Sequence, residues 1–326
     1  MNKVSLRKLA SPFFPVLDVI LSPFTILASV LLLSIRKIRV SKMPVSKWIF
    51  KKVGVFPITD HYYEPLFNNK HLRYSLNNDR ELSGISRNDA EQLSLLAQFQ
   101  YQHELSLIPE NNNNDLQFCF NNPSISGADA EYLYCMVRNF KPRNFIEIGS
   151  GYSTLLVKQA IEKNKQEDSL YNCNHISIEP YEMPWLEKTG IKVIRKLVEE
   201  VDLQFFKVLG TNDILFIDSS HIIRPQGDVL FEFLEILPSL NPGVIIHVHD
   251  IFTPRDYTHK HLVEDVLFWN EQYLLEAFLT CNDKFKIIAA VNYLKNHYPE
   301  EMKQKFPFFK NNLHHEPGSF WIKRVS

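Results

Sequence analysis

The stretch NFIEIGSGYSTLLVKQAIEKN, residues 144–164, changes its pattern in the middle. Its first part, NFIEIG, is a short β-branched and aromatic run that ends in glycine, which is typical of a buried strand. From Ser153 onward the apolar residues recur at helical spacing. A strand that leads through a glycine-containing turn into a helix predicts a crossover unit, and therefore an α/β protein with a parallel sheet.

The same alternation continues to the C-terminus. Helical patterns cover residues 227–240 and 261–279, and further strands are predicted at 175–180, 191–196, 213–218, 243–250, 284–291 and 318–324. We predict an α/β, Rossmann-like, seven-stranded and mostly parallel sheet with helices on both faces. The predicted domains are a membrane-associating segment at 1–52, a linker and cap region at 53–124, and the sheet domain at 125–326.

Small and acidic residues stand where the first two strands end, and such sheets bind ligands outside the carboxyl ends of their strands. Gly149 and Gly151 allow a tight turn with close backbone approach to a ligand. We expect Ser153 to cap the following helix. Glu179 ends the second strand, where α/β nucleotide-binding proteins hold the two ribose hydroxyls. Taken singly, each of these residues also fits a structural turn or a solvated surface.

Two aspartates end the fourth and fifth strands. Asp218 in LFIDSSH and Asp250 in GVIIHVHDIF converge on one pocket if the strands are parallel neighbours. Carboxylate oxygens suit Mg²⁺, Mn²⁺ or Ca²⁺, and the alternative is that both residues cap helices or bind backbone amides. His221, three residues beyond Asp218, is a candidate metal ligand, a candidate general base or a surface residue.

The fifth strand also carries two histidines. Alternation places His247 and His249 on one face of the strand and Asp250 on the other. We expect His247, which lies deeper in the strand, to be a hydrogen-bonded core residue. His249 stays open between a core residue and a helper of the site.

In combination, these motifs resemble the class I S-adenosylmethionine-dependent methyltransferases over about residues 125–326. EIGSGYST and ISIEP are similar to their first and second motifs, and DILFIDSSH and LNPGVIIHVHDIF to the fourth and fifth strand motifs of a bacterial small-molecule O-methyltransferase-like branch. The final GSFWIKR fits their seventh, antiparallel strand. The resemblance implies S-adenosylmethionine as cofactor. The residues that it would assign to the cofactor are Glu147, Gly149, Ser150, Gly151, Glu179 and Asp218.

The resemblance implies methyl transfer to the oxygen of a small or lipid-linked acceptor. Asp218, His221 and Asp250 form the expected catalytic group, with His221 as the base. Catechol-type members hold Mg²⁺ through an aspartate after strand four and an Asp-Asn pair after strand five, and here Ile251 follows Asp250. A Mg²⁺ site would use Asp218 and Asp250, completed by histidine or water.

An apolar run, FFPVLDVILSPFTILASVLLLSI, covers residues 13–35 and contains one charge, Asp18. About 20 apolar residues can cross a bilayer as a helix. A signal peptide is disfavoured by the length of the run and the missing cleavage site. Three alternatives remain for this run: a single span, a hairpin bent at Pro23, and a helix packed on the body. We predict membrane association with a cytoplasmic catalytic domain. The flanking cations are Lys3, Arg7, Lys8, Arg36, Lys37, Arg39, Lys42, Lys47, Lys51 and Lys52.

Charge is distributed unevenly along the chain. Residues 1–59 hold ten Lys or Arg and one acid, a net charge of +9, and the remainder has a net charge of −10. A basic head on an acidic body predicts contact with an anionic membrane surface and no nucleic-acid partner. Two rival functions stay open, a nicotinamide-dependent oxidoreductase and a non-catalytic membrane-docked module. The missing third glycine of the dinucleotide motif argues against the first, and the acidic strand ends argue against the second.

Overall fold

The computed structural model describes residues 11–111, 114, 116–181 and 183–326. The predicted flanking cations Lys3, Arg7 and Lys8 lie outside these residues. The chain separates into two compact units, Met1–Leu72 and Arg73–Ser326. We propose to count residues 73–124 of the predicted cap region with the sheet domain.

The N-terminal unit contains helix α1, Phe14–Ile38, and helix α2, Pro44–Val53. Pro23 lies inside α1 without interrupting it, so the bend that we considered at this residue is absent. Proline leaves the carbonyl four residues earlier without its usual N–H donor. That carbonyl oxygen, of Val19, accepts the Ser22 hydroxyl at 2.8 Å. At 25 residues, α1 is long and apolar enough to cross a membrane.

Seven strands of the second unit form one sheet in the order β3-β2-β1-β4-β5-β7-β6. Their bounds are Asn144–Ile148 (β1), Asn174–Ile178 (β2), Lys192–Ile194 (β3), Ile214–Ile217 (β4), Ile245–Val248 (β5), Phe285–Ala290 (β6) and Phe320–Arg324 (β7). Neighbours among β1 to β5 are parallel, whereas β7 runs antiparallel to both β5 and β6. The predicted seven-stranded, mostly parallel sheet is confirmed.

Helices and apolar side chains cover both faces of this sheet. The helices of the second unit are Asp89–Gln98 (α3), Gln102–Ser106 (α4), Gly127–Phe140 (α5), Tyr152–Glu167 (α6), Asp228–Phe231 (α7), Leu237–Ser239 (α8), Glu271–Leu279 (α9), Val291–His297 (α10), Pro299–Lys305 (α11) and Pro307–Asn311 (α12). A π-helical segment, Glu232–Ile236, joins α7 to α8. Adjacent residues of β1 enter opposite cores, Phe145 with α5 and α6, and Ile146 with the α7–α8 region. This alternation is what a sheet covered on both faces requires.

One predicted helix is wrong. We expected a continuous helix over 261–279, but the structure has a π-helical turn at Lys260–Glu264 and then α9, Glu271–Leu279. Between them the chain turns toward the loop after β4. There the backbone N–H of Asn270 donates to the carbonyl oxygen of His221 at 2.9 Å. The side-chain oxygen of Asn270 accepts the backbone N–H of Ile223, in the same loop, at 2.7 Å. These long-range hydrogen bonds replace the local helical ones.

Candidate active site

The turn after β1 is held against the ends of both neighbouring strands. Gly149 has a φ of +75°, and a Cβ atom there would lie 1.8 Å from the carbonyl oxygen of Asp218, at the end of β4. The Gly149 N–H donates to the carbonyl oxygen of Ile178, at the end of β2, at 3.0 Å. A side chain at Gly149 is therefore excluded by backbone conformation and by contact. The close approach observed here is to the backbone at the end of β4, and the approach to a ligand stays a prediction.

Glu147 lies beneath this turn and is fully buried. Its carboxylate accepts the Ser153 hydroxyl at 2.5 Å and the Thr154 hydroxyl at 2.6 Å. The Thr154 oxygen in turn accepts the N–H of Gly151, which is buried and caps helix α6. The predicted cap at Ser153 is wrong because its hydroxyl is bound by the buried carboxylate. We propose that Glu147 positions the turn, in place of the direct cofactor contact expected from the sequence.

A cavity of about 460 Å³ opens at the ends of β1, β2 and β4. Four of the predicted cofactor residues line it, namely Gly149, Ser150, Glu179 and Asp218. The Glu179 carboxylate accepts the backbone N–H groups of Ser150 at 3.2 Å and of Tyr181 at 2.9 Å. The strand order reverses between β1 and β4, which is where open α/β sheets bind ligands. The volume lies in the usual range for small-molecule sites.

Asp218, His221 and Asp250 come together beside this cavity. The Nε2 atom of His221 lies 3.4 Å from Asp218 Oδ1 and 3.7 Å from Asp250 Oδ2. His221 and Asp250 both have left-handed backbone conformations, with φ values of +60° and +55°. Such conformations cost non-glycine residues on the order of 1–3 kcal/mol and occur where the surrounding structure imposes them, often at functional sites.

Two further residues hold His221, and neither was predicted from the sequence. The carboxylate of Glu271, which is fully buried, lies 2.8 Å from His221 Nδ1. The ring of Trp269 lies 4.4 Å from the imidazole, measured between centroids. Asn270, a preferred N-cap residue directly before Glu271, indicates a helix start in the sequence. We did not predict a helix start at Asn270 because we expected one continuous helix over residues 261–279.

The charged groups of this cluster change one another's pKa values. Burial opposes the charge on His221, but the hydrogen bonds that the ring donates to the carboxylates of Asp218 and Glu271 outweigh it and raise the histidine pKa well above its usual value. Burial likewise opposes the charge on Asp218, yet His249 and His221 lower the Asp218 pKa to about 2. At neutral pH the site without ligands therefore holds an ionised Asp218 beside a protonated His221.

The two strand histidines differ in their surroundings. His247 is fully buried, stacks on Phe216 with 4.2 Å between ring centroids, and has Nε2 3.2 Å from His249 Nδ1. Burial, and then the charge of His249, lower the pKa of His247. For His249 burial opposes the charge, but Asp218 and Asp250 outweigh it and raise the pKa. His247 is thus a neutral, hydrogen-bonded core residue, whereas His249 is a buried histidine whose pKa the nearby carboxylates raise.

The same cluster has the donor atoms of a metal site. One ligand atom each from Asp218, His221 and Asp250 lies within 4.8 Å of the other two. Carboxylates suit Mg²⁺ and Mn²⁺, and imidazole suits Fe²⁺ and Zn²⁺. The residues present therefore fit a small divalent cation.

The strand order and the cavity at its reversal define an α/β domain of the kind that binds a nucleotide-type cofactor. Similar solved structures include the following two. An O-methyltransferase from Bacillus cereus in complex with SAH is 14% identical, with a TM-score of 0.38, over 73% of this chain and 92% of that one. The O-methyltransferase TomG from Streptomyces achromogenes, in complex with SAM, is 14% identical, with a TM-score of 0.38, over 74% and 92%.

Sequence comparisons identify the family. A profile described as a methyltransferase domain matches residues 146–251, which run from β1 to just beyond β5. An uncharacterized protein of Archaeoglobus fulgidus is 31% identical over 180 residues, covering 50% of this chain and 78% of that protein. Over residues 146–251 the chain therefore belongs to the family of methyltransferase domains that this profile describes.

Proposed function

We propose that this chain transfers a methyl group from S-adenosylmethionine to an oxygen atom of a small or lipid-linked acceptor. The observation that carries the proposal is the position of Asp218. This residue lines the cavity at the β1–β4 reversal and also belongs to the cluster with His221 and Asp250. Cofactor and acceptor would therefore meet at the ends of β4 and β5.

In the proposed complex the cofactor occupies the cavity of about 460 Å³. The Glu179 carboxylate accepts hydrogen bonds from the two ribose hydroxyls, as acidic residues at the end of the second strand do in related sheets. Gly149 and Ser150 bring backbone close to the methionine part of the cofactor, because the turn carries no side chain at Gly149. Glu147 keeps this turn in place through Ser153 and Thr154.

The acceptor hydroxyl must lose a proton as its oxygen takes the methyl group. We assign this proton to His221 Nε2, which faces Asp218 and Asp250. The new O–CH₃ bond forms while the S–CH₃ bond breaks, and S-adenosylhomocysteine leaves. Positioning the two reactants in line supplies much of the rate in such reactions. Since His221 is protonated in the free site, it must first release that proton, and the reaction should accelerate with rising pH.

Glu271 acts through His221 as a positioning residue. Its carboxylate binds Nδ1 at 2.8 Å, which leaves Nε2 directed at the two aspartates. A buried carboxylate in this place fixes the orientation of the ring and stabilises its protonated form, as in other histidine–carboxylate pairs. Trp269 packs against the same ring and limits its rotation.

The fit of the cluster to a divalent cation gives a second way to activate the acceptor. Asp218, Asp250 and the Nε2 atom of His221 would hold the ion. A bound ion would lower the pKa of an acceptor hydroxyl. Addition of EDTA separates the two cases, since loss of activity supports the ion and unchanged activity supports His221 as the base.

We also propose that the chain is attached to a membrane with its sheet domain on the cytoplasmic side. The support is helix α1 together with the seven cations at residues 36–53, which lie in its last turn and directly after it and have no acid among them. The positive-inside rule places such a flank in the cytoplasm. Extraction of membranes with alkaline carbonate tests the attachment. Full-length protein should stay in the pellet, and release into the supernatant would reject a membrane span.

Calorimetry on the full-length protein tests the central proposal. We expect S-adenosylmethionine and S-adenosylhomocysteine to bind and NAD⁺ not to bind. Binding of NAD⁺ alone would favour the nicotinamide oxidoreductase, and binding of none of the three would favour a non-catalytic module. Labelled S-adenosylmethionine, offered with sugars, phenols and lipid-linked hydroxyl compounds, then identifies the acceptor.

A further inference from the structure

Helix α2, Pro44–Val53, carries an exposed apolar face. Val45, Trp48, Ile49 and Val53 follow one another at intervals of three, one and four residues, which places them on one side of a helix. Their exposed fractions are 69%, 60%, 45% and 69%. Helix α2 is therefore amphipathic. Exposure of its apolar face to water is unfavourable, and such a face marks a site of interaction.

The cations of this helix indicate what covers the face. Lys47, Lys51 and Lys52 are exposed and lie within the run of seven cations at residues 36–53 that contains no acid. The ammonium group of Lys52 lies 5.0 Å from the centre of the Trp48 ring. Tryptophan and lysine together on a helix surface are typical of the headgroup layer of a bilayer, where lysine stems lie along apolar surface and the charges reach anionic lipids.

A short link holds helix α2 close to the C-terminal end of helix α1. Arg39 has a φ of +77° and donates its N–H to the carbonyl oxygen of Arg36 at 3.0 Å. A single 3₁₀ turn, Val40–Lys42, follows, and α2 begins at Pro44. This connection is short and hydrogen-bonded, so α2 begins within a few residues of the C-terminal end of α1.

We infer that α2 lies in the headgroup layer of an anionic bilayer, with Val45, Trp48, Ile49 and Val53 toward the acyl chains. This inference rests on the proposed membrane attachment and adds to it a position for helix α2, within the anionic headgroup layer. In the sequence these lysines belong to the basic region that flanks the apolar run and is expected to contact an anionic membrane. The structure places them on a separate amphipathic helix.

The test uses full-length protein in phosphatidylcholine vesicles with and without phosphatidylglycerol. Subtracting the fluorescence of the Trp48→Phe variant isolates Trp48, one of four tryptophans. Trp48 is exposed, so this variant should retain the fold, which a thermal melt verifies. In phosphatidylglycerol vesicles we expect blue-shifted emission and stronger quenching by lipids labelled near the headgroup than by lipids labelled at the chain end.

Charge is tested with the triple variant Lys47→Gln, Lys51→Gln and Lys52→Gln. Each lysine near an anionic surface favours binding about fivefold. The triple variant should therefore lose most of the shallow quenching, and high salt should do the same in the wild type. A matched control, with three exposed lysines of the sheet domain changed to glutamine, should quench as the wild type does. The control positions are Lys196, Lys207 and Lys310.

The outcomes separate this inference from the attachment itself. If the protein floats with the vesicles but Trp48 is neither shifted nor quenched, α1 holds the membrane and the inference about α2 is wrong. Blue-shifted emission without lipid quenching would show that other parts of the protein cover the apolar face of α2. That result would also overturn the inference. Protein that does not float with vesicles would overturn the attachment and this inference together.

Discussion

Substitution of Gly149 by alanine should destabilise the sheet domain and abolish cofactor binding, because the structure leaves no room for a methyl group there. The left-handed conformation, φ +75°, costs an alanine about 1–2 kcal/mol. The added Cβ would also lie 1.8 Å from the Asp218 carbonyl oxygen, so the turn and the end of β4 must separate. Separation weakens the hydrogen bond from the Asp218 N–H to the Ile148 carbonyl oxygen, now 2.9 Å, at a further cost of about 1 kcal/mol.

These costs add to about 2–3 kcal/mol, and a domain of this size loses roughly 2–4 °C in Tm per kcal/mol. Gly149→Ala should thus melt about 4–12 °C below the wild type, with no heat of S-adenosylmethionine binding in calorimetry. Gly151→Ala is the matched control. Its Cβ would meet only the flexible end of Met183, at 3.5 Å, and its φ of −178° suits any residue. Equal melting temperatures and equal cofactor affinities for the two variants would refute this account of the turn.

Four further predictions concern the site. Glu179→Gln removes a charged acceptor worth about 1.5–3 kcal/mol and should weaken S-adenosylmethionine binding roughly 10–150-fold in calorimetry, while undiminished affinity would place the ribose elsewhere. Asp250→Ala should abolish methyl transfer from labelled cofactor without changing the circular dichroism spectrum, and a fully active variant would exclude this residue from the site. The active form of His221 is deprotonated and its pKa is raised, so the rate should fall about tenfold per pH unit below that pKa. Glu271→Gln removes a charge that raises this pKa, so the rate profile should move to lower pH, which a merely structural role would not cause.

The strands were the predictable part of this fold. Runs such as NFIEIG and DILFID are short, β-branched and closed by a glycine or an acid, and parallel pairing buries them on both sides. Their local sequence and their tertiary surroundings favour the same structure. The family resemblance added the antiparallel direction of β7, which the local pattern does not determine.

The errors occurred where a side chain or backbone group finds a distant partner. Ser153 is a good cap by residue type, but Glu147 accepts its hydroxyl from below the turn. Residues 261–279 have helical periodicity, but Asn270 bonds the loop after β4 instead of its own helix. In both cases a long-range hydrogen bond overrides a local preference, and a single sequence does not show which distant residue supplies it.

In the candidate site, too, the residues that local sequence places were predicted, and those placed by a distant contact were not. Ends of parallel strands meet at one edge, so the convergence of Asp218 and Asp250 follows from the strand prediction alone. Glu271 could not be placed this way, because it lies 50 residues from His221 and reaches it only through the break in the predicted helix. The sequence thus indicates the candidate residues of the site, and the tertiary structure shows which further residues contact them.

The backbone at Asp250 shows how the fold orients a side chain of the candidate site. Its left-handed conformation, φ +55°, is unfavourable for aspartate and persists only because neighbours hold it. The next residue, Ile251, donates its N–H to the Gly318 carbonyl oxygen at 2.8 Å, and a Cβ at Gly318 would lie 2.8 Å from the Asp250 Cα. Gly318 just before β7 is thus required for the β5 end to turn its carboxylate toward His221. The antiparallel strand that distinguishes this sheet from a purely parallel one thereby helps to build the site, because it supplies the backbone against which Asp250 is fixed.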